Sequence, residues 1–165
     1  MSNNTSGPEI DPDGQPLPTG GWSEELLNLA DACVVPPNIS ALVPPAGVFY
    51  ADGSYCPEAA LWRKFRPITI EPERPKRVRE TLQGRWLWGG VLWAHFGHFL
   101  VESSSRLWAL PSVEEDIRGI IFIPKRPKVG KEVRGYHREY LSLFGTDLPI
   151  QVVDRPTCVE ELVVP

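Results

Sequence analysis

The chain has 165 residues, of which 42% are hydrophobic, and carries a formal charge of −4, values that fit one soluble domain better than two. The sequence contains 17 lysines and arginines and 21 aspartates and glutamates. A nucleic-acid partner is therefore not expected, because such proteins are typically strongly basic. Glycine and proline are frequent but follow no period, which excludes collagen-like and low-complexity classes.

The sequence predicts neither secretion nor a cysteine-based metal motif. No apolar run is long enough to span a bilayer, and polar residues follow Met1, so no integral membrane segment is predicted. Cys33, Cys56 and Cys158 are odd in number and lack metal-ligand spacing, which predicts reduced thiols and a cytoplasmic location. One disulfide plus a free thiol is the alternative. Two basic segments, described below, could contact an anionic membrane, so peripheral membrane association is an alternative.

The first half of the sequence predicts a tail and a small region rich in turns. Residues 1–21 contain few apolar side chains and are expected to be disordered. Residues 22–84 are expected to form an N-terminal helix and a hairpin region with a basic linker. Ser23, followed by two glutamates and two leucines, predicts a helix that ends near Ala32. Residues 47–53 end in an Asp-Gly turn signal and predict a hairpin.

Residues 85–165 show alternating strand and helix signals that predict an incomplete Rossmann-like α/β domain. Strands that are apolar on both faces and are separated by helices favour a doubly wound parallel sheet with flanking helices. Strands are predicted at residues 86–93, 119–123 and 150–153, and another begins at residue 162. Helices are predicted at residues 94–110, where Pro111 stops the helix, and at residues 131–144, where Gly145 follows it.

One predicted helix carries a cluster of ionisable residues. At 100° per residue, His95, His98, Glu102 and Arg106 fall within an arc of about 80° and form one polar stripe. Glu102 is four residues from both His98 and Arg106, so it can pair with either side chain. A histidine oriented by a carboxylate is a candidate general base. Two alternatives remain: a metal site formed by His95, His98 and Glu102, as in a metal-dependent hydrolase, and a solvated stripe whose pairs only stabilise the helix.

Two basic segments, residues 63–79 and 125–138, contain 13 of the basic residues. Such clustering suits a phosphorylated ligand, an anionic surface or a solvated face. The three serines at 103–105 lie on the predicted helix rather than in a nucleophile elbow, and they are expected to be capping or surface residues. His137 is likewise expected at the surface.

The stretch from Gly84-Arg85 through residues 95–108 resembles the N-terminal half of glycosyltransferase family 61, whose bacterial members are often described as capsular polysaccharide biosynthesis proteins. Residues 47–53 and 120–124 also resemble segments of that family, so the resemblance runs from residue 40 or so to the end of the sequence. The family is marked by a helix that carries a polar residue, a histidine three positions on, an acid four later and then Arg-Leu. His98, Glu102, Arg106 and Leu107 match this pattern, whereas His95 stands where many members carry asparagine.

The resemblance implies inverting transfer of a sugar from a nucleotide-sugar to a hydroxyl acceptor on a two-domain GT-B fold. His98, steered by Glu102, would be the catalytic base, His95 would bind substrate, and Arg106 would anchor the carboxylate or bind acceptor. No bound cofactor and no metal are expected. The alternative from another class is a non-catalytic α/β module that binds a glycan or a sugar phosphate.

The sequence length is short for such an enzyme, because two Rossmann-like domains need roughly 300 residues. No glycine-rich phosphate loop is present to bind the donor. A truncated product, a fragment and half of a split enzyme are the alternatives. Each would need a C-terminal domain or a partner chain, and the chain alone is expected to have little transferase activity.

Overall fold

The computed structural model describes residues 25–63 and 66–165. The predicted tail, residues 1–21, lies outside the described residues. Strands, numbered in chain order, are β1 (Leu27–Val35), β2 (Gly47–Phe49), β3 (Trp62–Arg63), β4 (Arg66–Pro67), β5 (Glu80–Leu92), β6 (Ile120–Pro124), β7 (Ile150–Val152) and β8 (Thr157–Val164). The α-helical elements are α1 (Phe96–His98), α2 (Leu110–Val113) and α3 (Gly135–Ser142), with 3-10 turns at Pro57–Ala59 and Leu107–Ala109 and a π-helical turn at Phe99–Ser103.

Six strands form one mixed sheet in the order β2-β1-β8-β5-β6-β7. Strands β8, β5, β6 and β7 are mutually parallel, whereas β1 pairs antiparallel with both β8 and β2. The prediction of a mainly parallel α/β sheet compatible with a Rossmann-like fold is confirmed. Strand β5 crosses the predicted boundary at residue 84, and β1 and β2 complete the same sheet. The hairpin region and the α/β region therefore share one sheet.

The two faces of the sheet are covered by different kinds of structure. Along β6, Ile120 and Phe122 face a core formed with the helical residues, while Ile121 and Ile123 face a second core formed with residues 46–68. All five residues of β6 are buried, as the sequence predicted. The α-helices therefore lie on one face only, and the β7–β8 connection contains no helix, which differs from the predicted doubly wound pattern.

The predicted helix ending near Ala32 is wrong, because strand β1 occupies those residues. Leu29 and Ala32 are both buried, a three-residue spacing that imitates a helix. The spacing arises from an irregularity at Asp31, whose φ is +50°. Pairing with β2 and β8 on both sides outweighs the local helix signal.

The hairpin at residues 47–53 is confirmed, since Tyr50 N–H donates to the Ser54 carbonyl at 2.9 Å.

The predicted helix at 94–110 is present only as a broken helical segment over residues 96–113. Serine hydroxyls bond to nearby carbonyls and compete with helical bonding. Ser104 Oγ donates to the Leu100 carbonyl at 2.6 Å, and Ser105 Oγ donates to the Glu102 carbonyl at 2.7 Å. Pro111 lies in the first turn of α2 instead of stopping a helix, because its missing N–H costs nothing in a first turn. No helix of the described residues is long and apolar enough to cross a membrane.

Candidate functional site

The candidate site lies at the carboxyl edge of the parallel strands. Trp93 follows β5 directly, Lys125 follows β6, and Pro165 follows β8. The chain adds β6 and β7 on one side of β5 and then returns to place β8 on its other side, so the strand order reverses between the parallel strands β5 and β8. Open α/β sheets bind ligands at such a switch point, outside the carboxyl ends of the strands.

His98 and Glu102 form the pair that the sequence predicted. His98 Nδ1 lies 2.7 Å from Glu102 Oε1. The Glu102 side chain is only 7% exposed, whereas the His98 side chain is 41% exposed. The buried carboxylate therefore holds a histidine that solvent or a ligand can reach.

Arg63 is the second partner of Glu102, and the sequence did not identify it. Arg63 Nη2 lies 2.6 Å from Glu102 Oε1 and 3.4 Å from His98 Nδ1. A guanidinium can only donate, and an ionised carboxylate can only accept. His98 Nδ1 must therefore carry a proton to bond Glu102, so its contact with Arg63 is proximity rather than a hydrogen bond. This tautomer leaves the lone pair on His98 Nε2.

Trp93 provides an aromatic surface beside this pair. Its ring stacks on His98, with centroids 4.6 Å apart and planes inclined by 26°. The Arg63 guanidinium and the Lys125 ammonium lie 5.5 and 5.4 Å from the Trp93 centroid, within reach of a cation–π interaction. His95 lies farther out, its ring centroid 5.3 Å from that of His98.

The site also contains two buried polar atoms that lack partners in the described part of the chain. They are Glu102 Oε2, an acceptor, and Trp93 Nε1, a donor. Each such atom costs about 1–3 kcal/mol when buried without a hydrogen bond. Unpaired buried polar atoms are unusual in proteins and are found at functional sites.

Lys125 joins the site to the loops that cover the sheet. Its Nζ donates to the Leu42 carbonyl at 2.6 Å and to the Ile68 carbonyl at 3.2 Å. Burial lowers the pKa of Lys125, and the nearby cations Arg126 and Arg63 lower it further. Arg63 belongs to the first basic segment of the sequence and Lys125 to the second. The two segments therefore meet at Trp93.

Arg106 does not pair with Glu102, the arrangement that helical spacing made possible. Its Nη1 donates to the Pro165 carbonyl, and its Nη2 donates to the Glu58 and Ala60 carbonyls at 3.0 and 2.9 Å. Burial lowers the pKa of Arg106 to about 10. The π-helical turn and the irregular residues 104–106 remove Arg106 from the predicted stripe, so it connects β8 to the loop over the opposite face.

Two further polar residues set the position of the site. Ser103 was expected to be a capping or surface residue and His137 a surface residue, and both predictions of exposure are wrong. Ser103 is fully buried; its Oγ donates to the Val91 carbonyl at 2.7 Å and accepts from Trp93 N–H at 3.0 Å. His137 is also fully buried, and its Nε2 lies 3.2 Å from the Trp93 carbonyl. Both residues fix the backbone around Trp93.

The metal-site alternative has no support in the geometry of residues 25–63 and 66–165. Nowhere in these ranges do three or more histidine, cysteine, aspartate or glutamate side chains come together as a metal-binding group. Glu102 directs its bonded oxygen at Arg63 and His98 instead.

No family model, no curated protein and no solved structure matches the chain.

Proposed function

We propose that this chain is the acceptor-side, N-terminal part of an inverting GT-B glycosyltransferase that acts in polysaccharide or glycoconjugate synthesis. The observation that supports it is the 2.7 Å contact between His98 Nδ1 and the buried Glu102 carboxylate, at the edge where α/β sheets bind ligands. The resemblance of residues 95–108 to glycosyltransferase family 61 supplies the reaction class.

In the proposed reaction, His98 Nε2 takes the proton of an acceptor hydroxyl. The acceptor oxygen forms a bond to the anomeric carbon of the donor sugar, and the bond from that carbon to the diphosphate oxygen breaks. The nucleoside diphosphate leaves with the electron pair, so configuration at the anomeric carbon inverts. Glu102 stabilises the imidazolium that forms and holds the ring with Nε2 free, the role that carboxylates play beside catalytic histidines.

The surrounding cations suit a charged donor. Arg63 and Lys125 lie next to Trp93, and positive groups stabilise negative charge that develops on a departing diphosphate. The sequence has no glycine-rich phosphate loop, and the rest of the proposed nucleotide-sugar site would come from a further domain or a partner chain. The proposed location is the cytoplasm, with the basic segments available for contact with anionic lipid.

The experiment compares His98→Gln with His95→Asn, each introduced into the gene in cells that naturally encode the chain. Extracts are incubated with labelled nucleotide-sugars, and incorporation into polymer is measured against wild type and a gene deletion. His98→Gln is expected to lower the rate by at least about 100-fold, the usual contribution of a general base. His95→Asn places the residue that many family 61 members carry and is expected to stay within a few-fold of wild type. Immunoblotting checks that both variants accumulate.

Three outcomes separate the possibilities. A His98→Gln rate equal to that of the deletion, with His95→Asn active, supports His98 as the base. A wild-type rate in His98→Gln, when deletion abolishes incorporation, overturns the base assignment. A deletion that changes incorporation of none of the labelled sugars overturns the glycosyltransferase proposal itself.

The exposed aromatic side chains favour a second candidate, a non-catalytic module that binds a glycan or a sugar phosphate. Trp62 and Trp108 are 38% and 44% exposed, and aromatic rings stack well on sugar rings. Under this candidate, labelled chain binds glycans on an array, and Trp62→Ala weakens that binding while His98→Gln does not.

A further inference from the structure

Cys33 and Cys158 face each other across two neighbouring strands. The antiparallel register of β1 and β8 pairs Cys33 with Cys158, between the pairs Ala32–Val159 and Val34–Thr157. Directly opposed residues of an antiparallel pair project from the same face of the sheet. No local pattern indicated which cysteines would meet, because Cys33 and Cys158 are separated by most of the chain.

Their separation suits a disulfide. Opposed residues in antiparallel strands have Cα atoms about 4.5–5.5 Å apart, and disulfides span Cα distances of about 4.4–6.8 Å. Both residues are partly exposed, so a small oxidant can reach them, whereas Cys56 is fully buried. All three thiols are free in the structure.

We propose that Cys33 and Cys158 are an oxidisable thiol pair that glutathione disulfide converts into an intramolecular disulfide between β1 and β8. One cysteine thiolate attacks a sulfur of glutathione disulfide and releases one glutathione thiolate. The other cysteine thiolate then attacks the mixed disulfide at the protein sulfur and releases the second glutathione. Two protein thiols lose their hydrogens and one S–S bond forms, while one glutathione disulfide becomes two glutathione molecules.

The surroundings of the thiols make this reaction slow at neutral pH. Burial raises the pKa of Cys33 to about 11, with a further contribution from Cys158, while the Arg74 guanidinium opposes the shift. Burial also raises the pKa of Cys158, and the Asp31 carboxylate adds to that effect. Only a thiolate attacks a disulfide, so the rate rises nearly tenfold per pH unit while both thiols remain largely protonated.

The bond would cross-link the antiparallel edge of the sheet to its parallel part. β8 lies between β1 and β5, and its carboxyl end accepts the hydrogen bond from Arg106. A disulfide that closes a long loop restricts the unfolded chain. The oxidised protein is therefore expected to resist urea better than the reduced protein, with its midpoint shifted to higher denaturant.

The test incubates the folded, full-length chain with glutathione disulfide at about pH 7 and about pH 9, the two conditions that vary the thiolate fraction. Free thiols are then alkylated, and peptides are mapped by mass spectrometry without reduction. The expected product is a monomer lighter by two hydrogen atoms, with one cross-linked peptide pair containing Cys33 and Cys158, formed faster at the higher pH. Cys56 remains alkylatable after unfolding.

Cys33→Ser and Cys158→Ser are the matched variants. Each is expected to give only a mixed disulfide with glutathione at its remaining thiol, and Cys56→Ala is expected to keep the cross-link. Circular dichroism confirms that each variant is folded. Alkylation of both Cys33 and Cys158 in the oxidised wild type, mixed disulfides at both positions or an intermolecular dimer would each overturn the proposal.

Discussion

The buried hydroxyl of Ser103 gives a quantitative test of how the site is held to the sheet. Replacing Ser103 by alanine removes its hydrogen bonds to the Val91 carbonyl and the Trp93 N–H. The buried Val91 carbonyl then loses its partner at about 1–3 kcal/mol, and the partly buried Trp93 N–H, which water can partly compensate, loses its partner at about 1 kcal/mol. Since the change deletes a single oxygen atom, the cavity that it leaves is small. Ser103→Ala is expected to lower the free energy of unfolding by about 2–4 kcal/mol.

Urea unfolding, followed by tryptophan fluorescence and circular dichroism, measures this loss. With a denaturant slope of about 2 kcal/mol per molar urea, the midpoint should fall by about 1–2 M. Ser105→Ala is the matched control, because the exposed Ser105 hydroxyl bonds only the nearby Glu102 carbonyl. That variant should stay within about 0.5 kcal/mol of wild type. Equal midpoints for the two variants would refute the reasoning that Ser103 anchors the site.

Two further predictions concern groups packed around the sheet. Burial lowers the pKa of His137, whose Nε2 contacts the Trp93 carbonyl. Below about pH 6.5, the histidine therefore binds a proton in the unfolded chain but not in the folded chain. The free energy of unfolding falls as the pH falls through this range. Urea midpoints should therefore drop more steeply between pH 6.5 and pH 5 in wild type than in His137→Gln, and parallel slopes would contradict this. Gly119→Ala would place a Cβ 2.4 Å from the Pro149 carbonyl oxygen, whereas at Gly145, with φ of +76°, a Cβ meets nothing within 4 Å. Thermal unfolding should show a larger loss of stability for Gly119→Ala than for Gly145→Ala, which carries only about 1–2 kcal/mol of backbone strain. A larger loss for Gly145→Ala would contradict the predicted clash at residue 119.

Local sequence patterns predicted the elements whose surroundings are uniform. β6 is apolar along its whole length and is buried on both faces, so its burial could be read from composition. β1 was mistaken for a helix because the buried residues Leu29 and Ala32 are three apart. Its partners, β2 and β8, come later in the chain, and no local pattern contains that pairing.

The same distinction applies to the candidate site. Residues four apart on a helical turn meet regardless of the rest of the chain, which is why the His98–Glu102 pair could be predicted. Arg106 follows an irregular turn, so its predicted place on the stripe did not hold.

Local sequence signals were enough to predict the mainly parallel sheet and the His98–Glu102 pair, because periodicity and short spacing act within a few residues. The convergence of Arg63 and Lys125 on Trp93 and the pairing of Cys33 with Cys158 arise from the tertiary fold. These contacts join segments that are distant in the chain, and they depend on strand order and register, which are set by packing of the whole sheet.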